Sequence, residues 1–308
     1  MKVSTAFLFD RATDRMSEIQ NKLSYTQAQL AATKQVLSPS DAPDQAAAIQ
    51  RLRGQIDLQV NHSATLKTAM ARYKAEETAL SSADDIMIRI KELGLQAVND
   101  TVGHSDRQAI AVEMKALRDQ LLSLGNTKDD NGNYLFSGTR VNTPAFVEDD
   151  DGVVTYQGDQ TQTRIPAGVE RTVSYSRAGS DVFARVVRED ANGDSKSVGF
   201  FDSLDDMIQA VETSDNKSMQ TGLGELDQMQ FKLSLAVAQT GSDQAVVQSQ
   251  LDVLDETGLR LKSTLSDIED LDYTEAVARM KKETTALEAA MSSFGKIASL
   301  SLFDYVRP

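Results

Sequence analysis

Apolar side chains recur at alternating spacings of three and four residues near both ends of the chain, and this pattern limits the fold more than any other feature. The N-terminal stripe consists of Met16, Ile19, Leu23, Thr26, Leu30, Thr33 and Leu37. The C-terminal stripe consists of Tyr273, Val277, Met280, Thr284, Leu287, Met291, Phe294 and Ala298. Such spacing places one apolar face along a helix, as in coiled coils and helical bundles. Because both stripes are narrow and include Thr, we expect helices that depend on packing for their stability.

Two further stripes with the same spacing lie inside the chain, at Ile110–Leu124 and Val247–Ile268. We expect these inner stripes to form an intramolecular core. For the two end stripes, the pattern alone leaves two alternatives open: a core within one chain, or an interface between copies.

Charge is unevenly distributed along the chain. The formal net charge is −14, yet residues 1–40 carry five basic and three acidic side chains, and residues 273–308 carry five basic and four acidic ones. The negative charge therefore lies between the two ends. Near-neutral ends can pack against copies of themselves, whereas the acidic body favours solubility and argues against binding to duplex nucleic acid.

The middle of the chain differs in composition from its flanks. Glycines and aromatic residues concentrate there, and prolines at 144 and 166 interrupt any helix. Short β-branched or aromatic runs at Gly152–Tyr156, Thr161–Ile165 and Thr172–Tyr175 predict strands. The flanks are rich in Ala, Leu, Gln, Glu and Lys, which favour helix. The sequence therefore predicts a mainly α fold with a small β insertion. Its terminal segments form a long antiparallel, coiled-coil-like bundle, and the β domain is inserted between them.

Local sequence also predicts where helices end. The segment Ser38–Pro43 ends one helix and begins the next. Ser40 or Asp41 can cap the new helix, and proline is tolerated in a first turn. The Gly241–Asp243 segment predicts a second break of the same kind.

Residue types that carry enzyme chemistry are scarce. The chain has no Cys and two His, which removes disulfides and thiolate metal sites and leaves little for a histidine relay. The runs that begin at Asp129 and Asp190 resemble the start of calcium loops, but both lack Gly at position six and Glu at position twelve. We therefore predict no catalytic residue, no cofactor, no metal site and no enzyme activity. We also expect no membrane span, because the apolar runs are too short, and no cleavable signal peptide within Met1–Arg11.

Several segments of the chain resemble the bacterial flagellin superfamily. They are Met1–Phe7, Ala31–Lys34 with the Ser38–Pro43 turn, Asn131–Thr139 and Phe294–Tyr305. The stretch Asn-Tyr-Leu-Phe-Ser-Gly-Thr and the end Leu-Ser-Leu-Phe-Asp-Tyr are fairly specific, and the resemblance covers essentially the whole chain. It is closest to the members that form the junction between hook and filament. The chain departs from the common pattern in having Ala-Ala-Thr-Lys before the turn.

The resemblance implies a domain order that agrees with the composition. Residues 1–40 and 273–308 are expected to be the terminal assembly helices, in the inner layer of a tube. Residues 41–130 and 203–272 are expected to form the two halves of a helical bundle domain. Residues 131–202 are expected to form an inserted β-rich domain.

The resemblance also implies a structural role in the bacterial flagellum. A junction protein of this family is secreted and joins the hook-associated protein 1 zone to the flagellin filament by stacking of terminal helices on like subunits. Export by the flagellar type III route is implied, with a cytoplasmic chaperone that binds the C-terminal segment. We expect the end stripes to have no partner in the monomer and to become ordered on assembly.

We predict that the assembly interface consists of residues from the two end stripes. They are Met16, Ile19, Leu23, Leu30, Leu37, Val277, Met280, Leu287, Met291 and Phe294. Two alternatives to the junction protein remain: flagellin itself, and a cytoplasmic coiled-coil scaffold, which the Gly-rich and aromatic insertion fits poorly.

Overall fold

Long helices dominate the described part of the chain. The computed structural model describes the backbone of residues 2–166, 172–189 and 195–306, and the side chains of these residues apart from 2–6, 8 and 297–306. The helices are α1 (Lys2–Ala32), α2 (Pro43–Val98), α3 (His104–Gly125), α4 (Gly179–Val182), α5 (Phe200–Thr213), α6 (Asn216–Glu269) and α7 (Tyr273–Val306). The predicted fold class, mainly α with a small β insertion, is confirmed.

The described strands form three separate antiparallel pairs. They are β1 (Phe146–Glu148) with β2 (Val154–Tyr156), β3 (Arg164–Pro166) with β4 (Thr172–Ser174), and β5 (Val186–Glu189) with β6 (Ser195–Val198). Strands β2, β3 and β4 lie at the three predicted runs, whereas β1, β5 and β6 were not predicted. Because an isolated two-stranded hairpin is marginal in water, these pairs depend on packing against the remainder of the fold.

Backbone contacts divide the chain into two compact units. Unit 1 comprises residues 1–58 and 256–308, and unit 2 comprises residues 59–255. Unit 1 contains α1, α7, the start of α2 and the end of α6. Unit 2 contains the remaining helical segments and all six described strands.

The centre of unit 2 is a cluster of aromatic rings drawn from both helices and the β insertion. Phe183 lies edge-on to Phe146 at 5.2 Å between ring centroids, edge-on to Phe200 at 5.2 Å, and stacked on Phe201 at 5.8 Å. These rings belong to one hydrophobic core with Leu80 of α2, Met114 of α3 and Leu226 of α6. Side chains of the predicted insertion therefore share a core with the helices. The predicted boundaries at 131 and 202 stay a prediction.

The stripe of α3 and the first half of the α6 stripe contribute to the enclosed core of unit 2. Ile110, Met114 and Leu121 of α3 are at most 6% exposed, and Val247 and Leu251 of α6 are at most 7% exposed. The α6 residues pack against α2 in a second, smaller cluster. The prediction of an intramolecular core is confirmed for these positions.

Four arginines connect the helices of unit 2 to the segment between α3 and α5. The pairs are Arg72 with Asp129 (2.9 Å), Arg118 with Glu148 (2.6 Å), Arg177 with Glu76 (2.5 Å) and Arg188 with Glu225. In the first pair both side chains are buried, at 2% and 4% exposed. Arg72 also donates to the backbone carbonyl groups of Tyr134 and Leu135. Guanidinium groups suit this task because their donors fan out in a plane and can satisfy several acceptors at once.

The Asn131–Thr139 stretch has a clear structural basis. Leu135 and Phe136 are fully buried, and Ser137 Oγ donates to the carbonyl oxygen of Thr143 at 2.6 Å. Gly138 has φ +67°, and a Cβ atom there would lie 2.3 Å from the backbone oxygen of Asp159. Both the conformation and the close approach require glycine.

The structure has the predicted helix boundary at Ser38–Pro43 but not the one at Gly241–Asp243. Pro43 is the first residue of α2, but Asp41 accepts from the amide of Ser38 (2.8 Å) rather than from the new helix. The predicted break at Gly241–Asp243 is wrong, because α6 continues through it. Thr240 is fully buried beside this point, and its hydroxyl donates to Glu76 at 3.0 Å. A helical glycine costs only about 1 kcal/mol, which packing of this kind offsets.

Candidate assembly surface

The terminal helices α1 and α7 pack against each other in unit 1 with antiparallel directions. Phe9 of α1 meets Phe294 of α7 with 4.7 Å between ring centroids. At the other end, Leu271 donates its amide to the carbonyl oxygen of Thr33 at 3.2 Å. The chain order of these two contacts is reversed between the helices. The two predicted stripes therefore face each other within one chain.

Backbone hydrogen bonds hold the segment after α1 beside the segment before α7. Lys34 and Asp270 form an antiparallel bridge, and the amide of Gln35 donates to the carbonyl oxygen of Glu269 at 2.8 Å. Asp272 caps the start of α7, because its carboxylate accepts from the amides of Thr274 (2.9 Å) and Glu275 (3.0 Å). Two otherwise unpaired amides of the first helical turn are thus satisfied.

Helix α1 ends in a Schellman motif in which Thr33, rather than a glycine, occupies the left-handed position. The amide of Lys34 donates to the carbonyl oxygen of Gln29 at 3.2 Å, and Thr33 has φ +54°. This left-handed position normally holds glycine, and a β-branched residue there is strained. Helix α1 therefore ends before the last two positions of the predicted stripe, Thr33 and Leu37.

Glu269 is a buried carboxylate of unit 1 that forms ion pairs with two basic side chains. Its side chain is 8% exposed, Arg53 donates to it at 2.5 Å, and Lys34 forms a second ion pair with the same carboxylate oxygen. The hydrogen bond from Lys34 is the largest cause that lowers the pKa of Glu269 below its ordinary value. Burial opposes this shift, and the hydrogen bond from Arg53 adds to it. The carboxylate therefore joins three segments of unit 1 in its ionised form.

The structure brings most of the predicted interface residues together but encloses none of them completely. Half-buried members are Met16, Ile19, Leu23, Leu30, Met280, Leu287 and Phe294. Exposed members are Leu37 (36%), Val277 (37%) and Met291 (57%). Two helices alone can cover each other from one side only, so much of both stripes stays accessible. Whether these residues form the interface between copies stays a prediction.

The expectation that the end stripes lack any partner in the monomer is wrong. The C-terminal stripe packs on α1, as the ring contact between Phe9 of α1 and Phe294 of the stripe shows. Sequence reasoning considered each helix separately, and an antiparallel pairing joins residues far apart in sequence. Phe9 itself was missed as a stripe residue, although it lies seven residues before Met16 and so continues the heptad spacing.

Other apolar side chains of unit 1 are also accessible. Phe7 is 64% exposed and Phe9 42%, and Tyr273 is 63% exposed at the start of α7. Two polar residues of α1 are nevertheless buried: Thr26, which belongs to the stripe, is 2% exposed, and Gln29, which lies outside it, is 4% exposed. Gln29 uses its amide nitrogen to hold the carbonyl oxygen of Gln35 at 2.6 Å. Unit 1 therefore carries exposed apolar side chains on both α1 and α7.

The candidate calcium loop at Asp129 already uses its first carboxylate for contacts within the protein. Asp129 is buried and occupied, because it accepts from Arg72 and from the amides of Asn131 and Asn133. The run that begins at Asp190 lies outside the described residues. Among the described side chains, no three acidic or histidine groups converge as metal ligands would. None of the described helices combines the length and apolar character that crossing a bilayer requires.

Family comparison agrees with this arrangement of paired terminal helices. The bacterial flagellin N-terminal helical region matches residues 3–141, and the bacterial flagellin C-terminal helical region matches residues 223–306. The two matches together cover most of the chain. The chain belongs to the bacterial flagellin family.

Within this family, the chain is similar over its full length to flagellar hook-associated protein 3. The protein of Escherichia coli (strain K12) is 26% identical over 322 residues, covering 99% of each chain. That of Salmonella typhimurium is 25% identical over 321 residues, covering 100% of each chain. The flagellin of Bacillus subtilis (strain 168) is 22% identical over 286 residues, covering 91% of this chain and 92% of the flagellin.

Solved structures have the same fold. FlgL of Xanthomonas campestris superposes with a TM-score of 0.63 at 22% identity, covering 71% of this chain and 99% of that one. Flagellar hook-associated protein 3 of Legionella pneumophila superposes with a TM-score of 0.65 at 18% identity, covering 71% of this chain and 98% of that one. At these identities the likeness establishes the fold alone.

Proposed function

We propose that this protein is a structural subunit of the bacterial flagellum, a hook-associated junction protein. It joins the hook-associated protein 1 zone to the flagellin filament by stacking of its terminal helices. The observation that carries the proposal is the antiparallel pairing of α1 and α7, which leaves both apolar stripes half-covered. The chain is similar over its full length to two proteins named flagellar hook-associated protein 3, and this similarity supports a position at the junction between hook and filament.

The physical mechanism is burial of the remaining stripe surface between like subunits. Burial of apolar surface contributes about 25 cal/mol per Å². Ordering a helix costs about 1–2 kcal/mol per residue of backbone. A two-helix pair offsets only part of this cost, and contacts with neighbouring subunits supply the remainder.

Deletion of the gene tests the proposal in the native organism. The null strain should keep hooks but release unassembled flagellin into the medium, and the wild-type gene should restore attached filaments. A null strain with filaments of normal length on its hooks would contradict the junction function.

Flagellin is the second candidate, because a flagellin is similar to most of the chain. Purified flagellin subunits polymerise by themselves, whereas a junction protein needs an existing end as a template. Incubation of the purified protein at high concentration, followed by electron microscopy, separates the two. Long filaments would favour flagellin, and short or absent assemblies would favour the junction protein.

The partners and the location belong to the same proposal. We infer self-assembly with like subunits, contact with hook-associated protein 1 and with flagellin, and a cytoplasmic export chaperone that holds the C-terminal segment. The protein is secreted and works outside the cell, in a purely structural role without enzyme activity. Detection in the medium of growing cells, with loss of that signal in a strain lacking flagellar export, is the expected result.

A further inference from the structure

Helices α2 and α6 each contain a long segment in which no side chain is enclosed. The segments are residues 50–65 of α2 and residues 255–268 of α6, and together we call them the open stretch. Every residue in the open stretch is half-buried or exposed, although both helices continue through it without a break. The enclosed packing of both helices is therefore interrupted over about four turns. Buried side chains lie directly before and after each segment: Ile49, Leu66, Leu254 and Glu269.

Polar contacts in the open stretch are equally sparse. Among the described residues, Arg53 forms the one side-chain hydrogen bond between the two helices there, with Glu269 at the end of the stretch. Gln59 Oε1 is buried without a hydrogen-bond partner. Leu58 and Leu259 are apolar, yet they are 58% and 71% exposed. Because segments with few buried contacts deform at a lower cost than an enclosed core, both helices are weakly held here.

Each segment of the open stretch also contains a glycine that its surroundings do not require. These glycines are Gly54 in α2 and Gly258 in α6. A Cβ atom added at either position would meet nothing within 4 Å beyond the adjacent helix backbone, and neither glycine has a positive φ. Alanine would therefore fit, and alanine favours the interior of a helix over glycine. Two glycines that weaken long helices without a packing reason point to a need for backbone freedom.

We propose that the open stretch is a hinge, at which α2 bends near Gly54 and α6 bends near Gly258 during assembly. Hinges consist of a few residues that absorb a change in backbone angles, and these residues are often small. The hinge lies inside two continuous helices, away from the loop between α1 and α2 and the loop between α6 and α7. It allows both helices to follow different courses in the free monomer and in the flagellum. The bending itself does not depend on the proposed function, whereas its use in assembly does.

Two other glycines of α6, Gly224 and Gly241, have equally open surroundings but lie in packed segments. Leu226 is 1% exposed close to Gly224, and Thr240 is fully buried beside Gly241. Thr240 also donates its hydroxyl to Glu76 of α2 at 3.0 Å. Because contacts of this kind hold α6 in place, we expect bending in the open stretch and not at these two glycines.

Spin labels on engineered cysteines measure the bending directly, because the natural chain contains no Cys. Gln45→Cys with Lys74→Cys spans the open stretch of α2, over about 43 Å in a straight helix at about 1.5 Å per residue. Lys74→Cys with Gln96→Cys is the control pair in the packed part of α2, and all three sites are exposed. Both pairs are measured by pulsed electron paramagnetic resonance on the purified monomer.

A hinge makes the monomer sample several bend angles, so the pair that spans the open stretch should have a distance distribution at least twice as broad as the control pair. Adding Gly54→Ala and Gly258→Ala should narrow this distribution toward the control width. Equal widths for the two pairs in the parent protein would overturn the proposal. So would a broad distribution that the two alanines leave unchanged.

Motility of a complemented null strain tests whether the bend is used in assembly. The double variant Gly54→Ala and Gly258→Ala should raise the melting temperature of the purified protein, yet lower the swimming speed at least twofold. Gly241→Ala is the matched control, because it should also raise the melting temperature but leave swimming unchanged. Normal swimming of the double variant, or an equal loss with Gly241→Ala, would overturn the use of the hinge in assembly. Filaments of normal length on the null strain would instead contradict the junction function.

Discussion

Arg53 and Glu269 lie 216 residues apart in the sequence, yet Arg53 Nη2 is 2.5 Å from Glu269 Oε1. The pair joins the first turns of α2 to the last residue of α6 in unit 1. Lys34, just beyond the end of α1, binds the same carboxylate. One ionised side chain thus holds together the segments from which both terminal helices extend.

The Glu269 carboxylate should make unit 1 sensitive to acid. Its pKa is lowered in the folded state, first by the hydrogen bond from Lys34, so it contributes stability above the unfolded pKa of about 4.3. That contribution is lost as the pH falls through the folded-state value. Glu269→Gln should therefore lower the free energy of unfolding by about 1–2 kcal/mol at pH 7. It should also flatten the dependence of stability on pH below about 4.5. Chemical denaturation at several pH values measures this, and parallel pH profiles for both proteins would contradict it.

Thr33→Gly should stabilise the end of α1. The left-handed backbone costs an ordinary residue about 1–2 kcal/mol, and glycine adopts it without this strain. Since glycine also raises the entropy of the unfolded chain, we expect a net gain of about 0.5–1 kcal/mol. Thermal unfolding measures the gain. Thr13→Gly, at an exposed site inside α1, is the control and should instead destabilise the helix. Destabilisation by Thr33→Gly as well would argue against a strained Schellman end.

Asp129→Ala should strongly destabilise unit 2. Arg72 and Asp129 are both buried, and removal of one partner leaves the other charge without compensation. Such changes cost about 3–5 kcal/mol. Asp130→Ala, one residue further in the same turn and exposed, should cost less than about 0.5 kcal/mol. Similar midpoints of urea unfolding for the two variants would show that the buried pair has no special role.

Deletion of residues 145–200 should disrupt unit 2 rather than remove a separable module. The deletion takes away Phe146 and Phe183, which pack against Phe201 of α5 in the common core. Far-ultraviolet circular dichroism should show a broad or early loss of helix on heating. Val147→Ser, at an exposed position of β1, is the control and should unfold like the wild type. Cooperative unfolding of the deleted protein at the wild-type temperature would establish an independent β domain.

During limited proteolysis of the monomer, the terminal helices α1 and α7 should be cut earlier in time than unit 2. Most side chains of α1 and α7 are exposed or half-buried, whereas unit 2 has a large enclosed core. Segments with few buried contacts open most often. Mass spectrometry should find a resistant fragment within about residues 41–272. Resistance of both termini in a proven monomer would mean that the α1–α7 pair is already stable without a second subunit.

The sequence by itself determined that the fold is mainly α and that short strands lie near the middle of the chain. Heptad spacing of Met16, Ile19 and Leu23 predicts a helix with one apolar face, because helical periodicity is a property of local sequence.

Only the tertiary structure decided how each stripe residue is used. Leu287 and Met291 both belong to the predicted C-terminal stripe, yet Leu287 is half-buried and Met291 is 57% exposed. The uninterrupted course of α6 through Gly241 likewise depends on packing against α2, which offsets the local cost of glycine. The spacing of residues predicts that a helix has an apolar face. The side chains that pack against that face come from distant parts of the chain. Which segments pack together depends on the free energy of the whole fold, and a local sequence pattern carries no information about it.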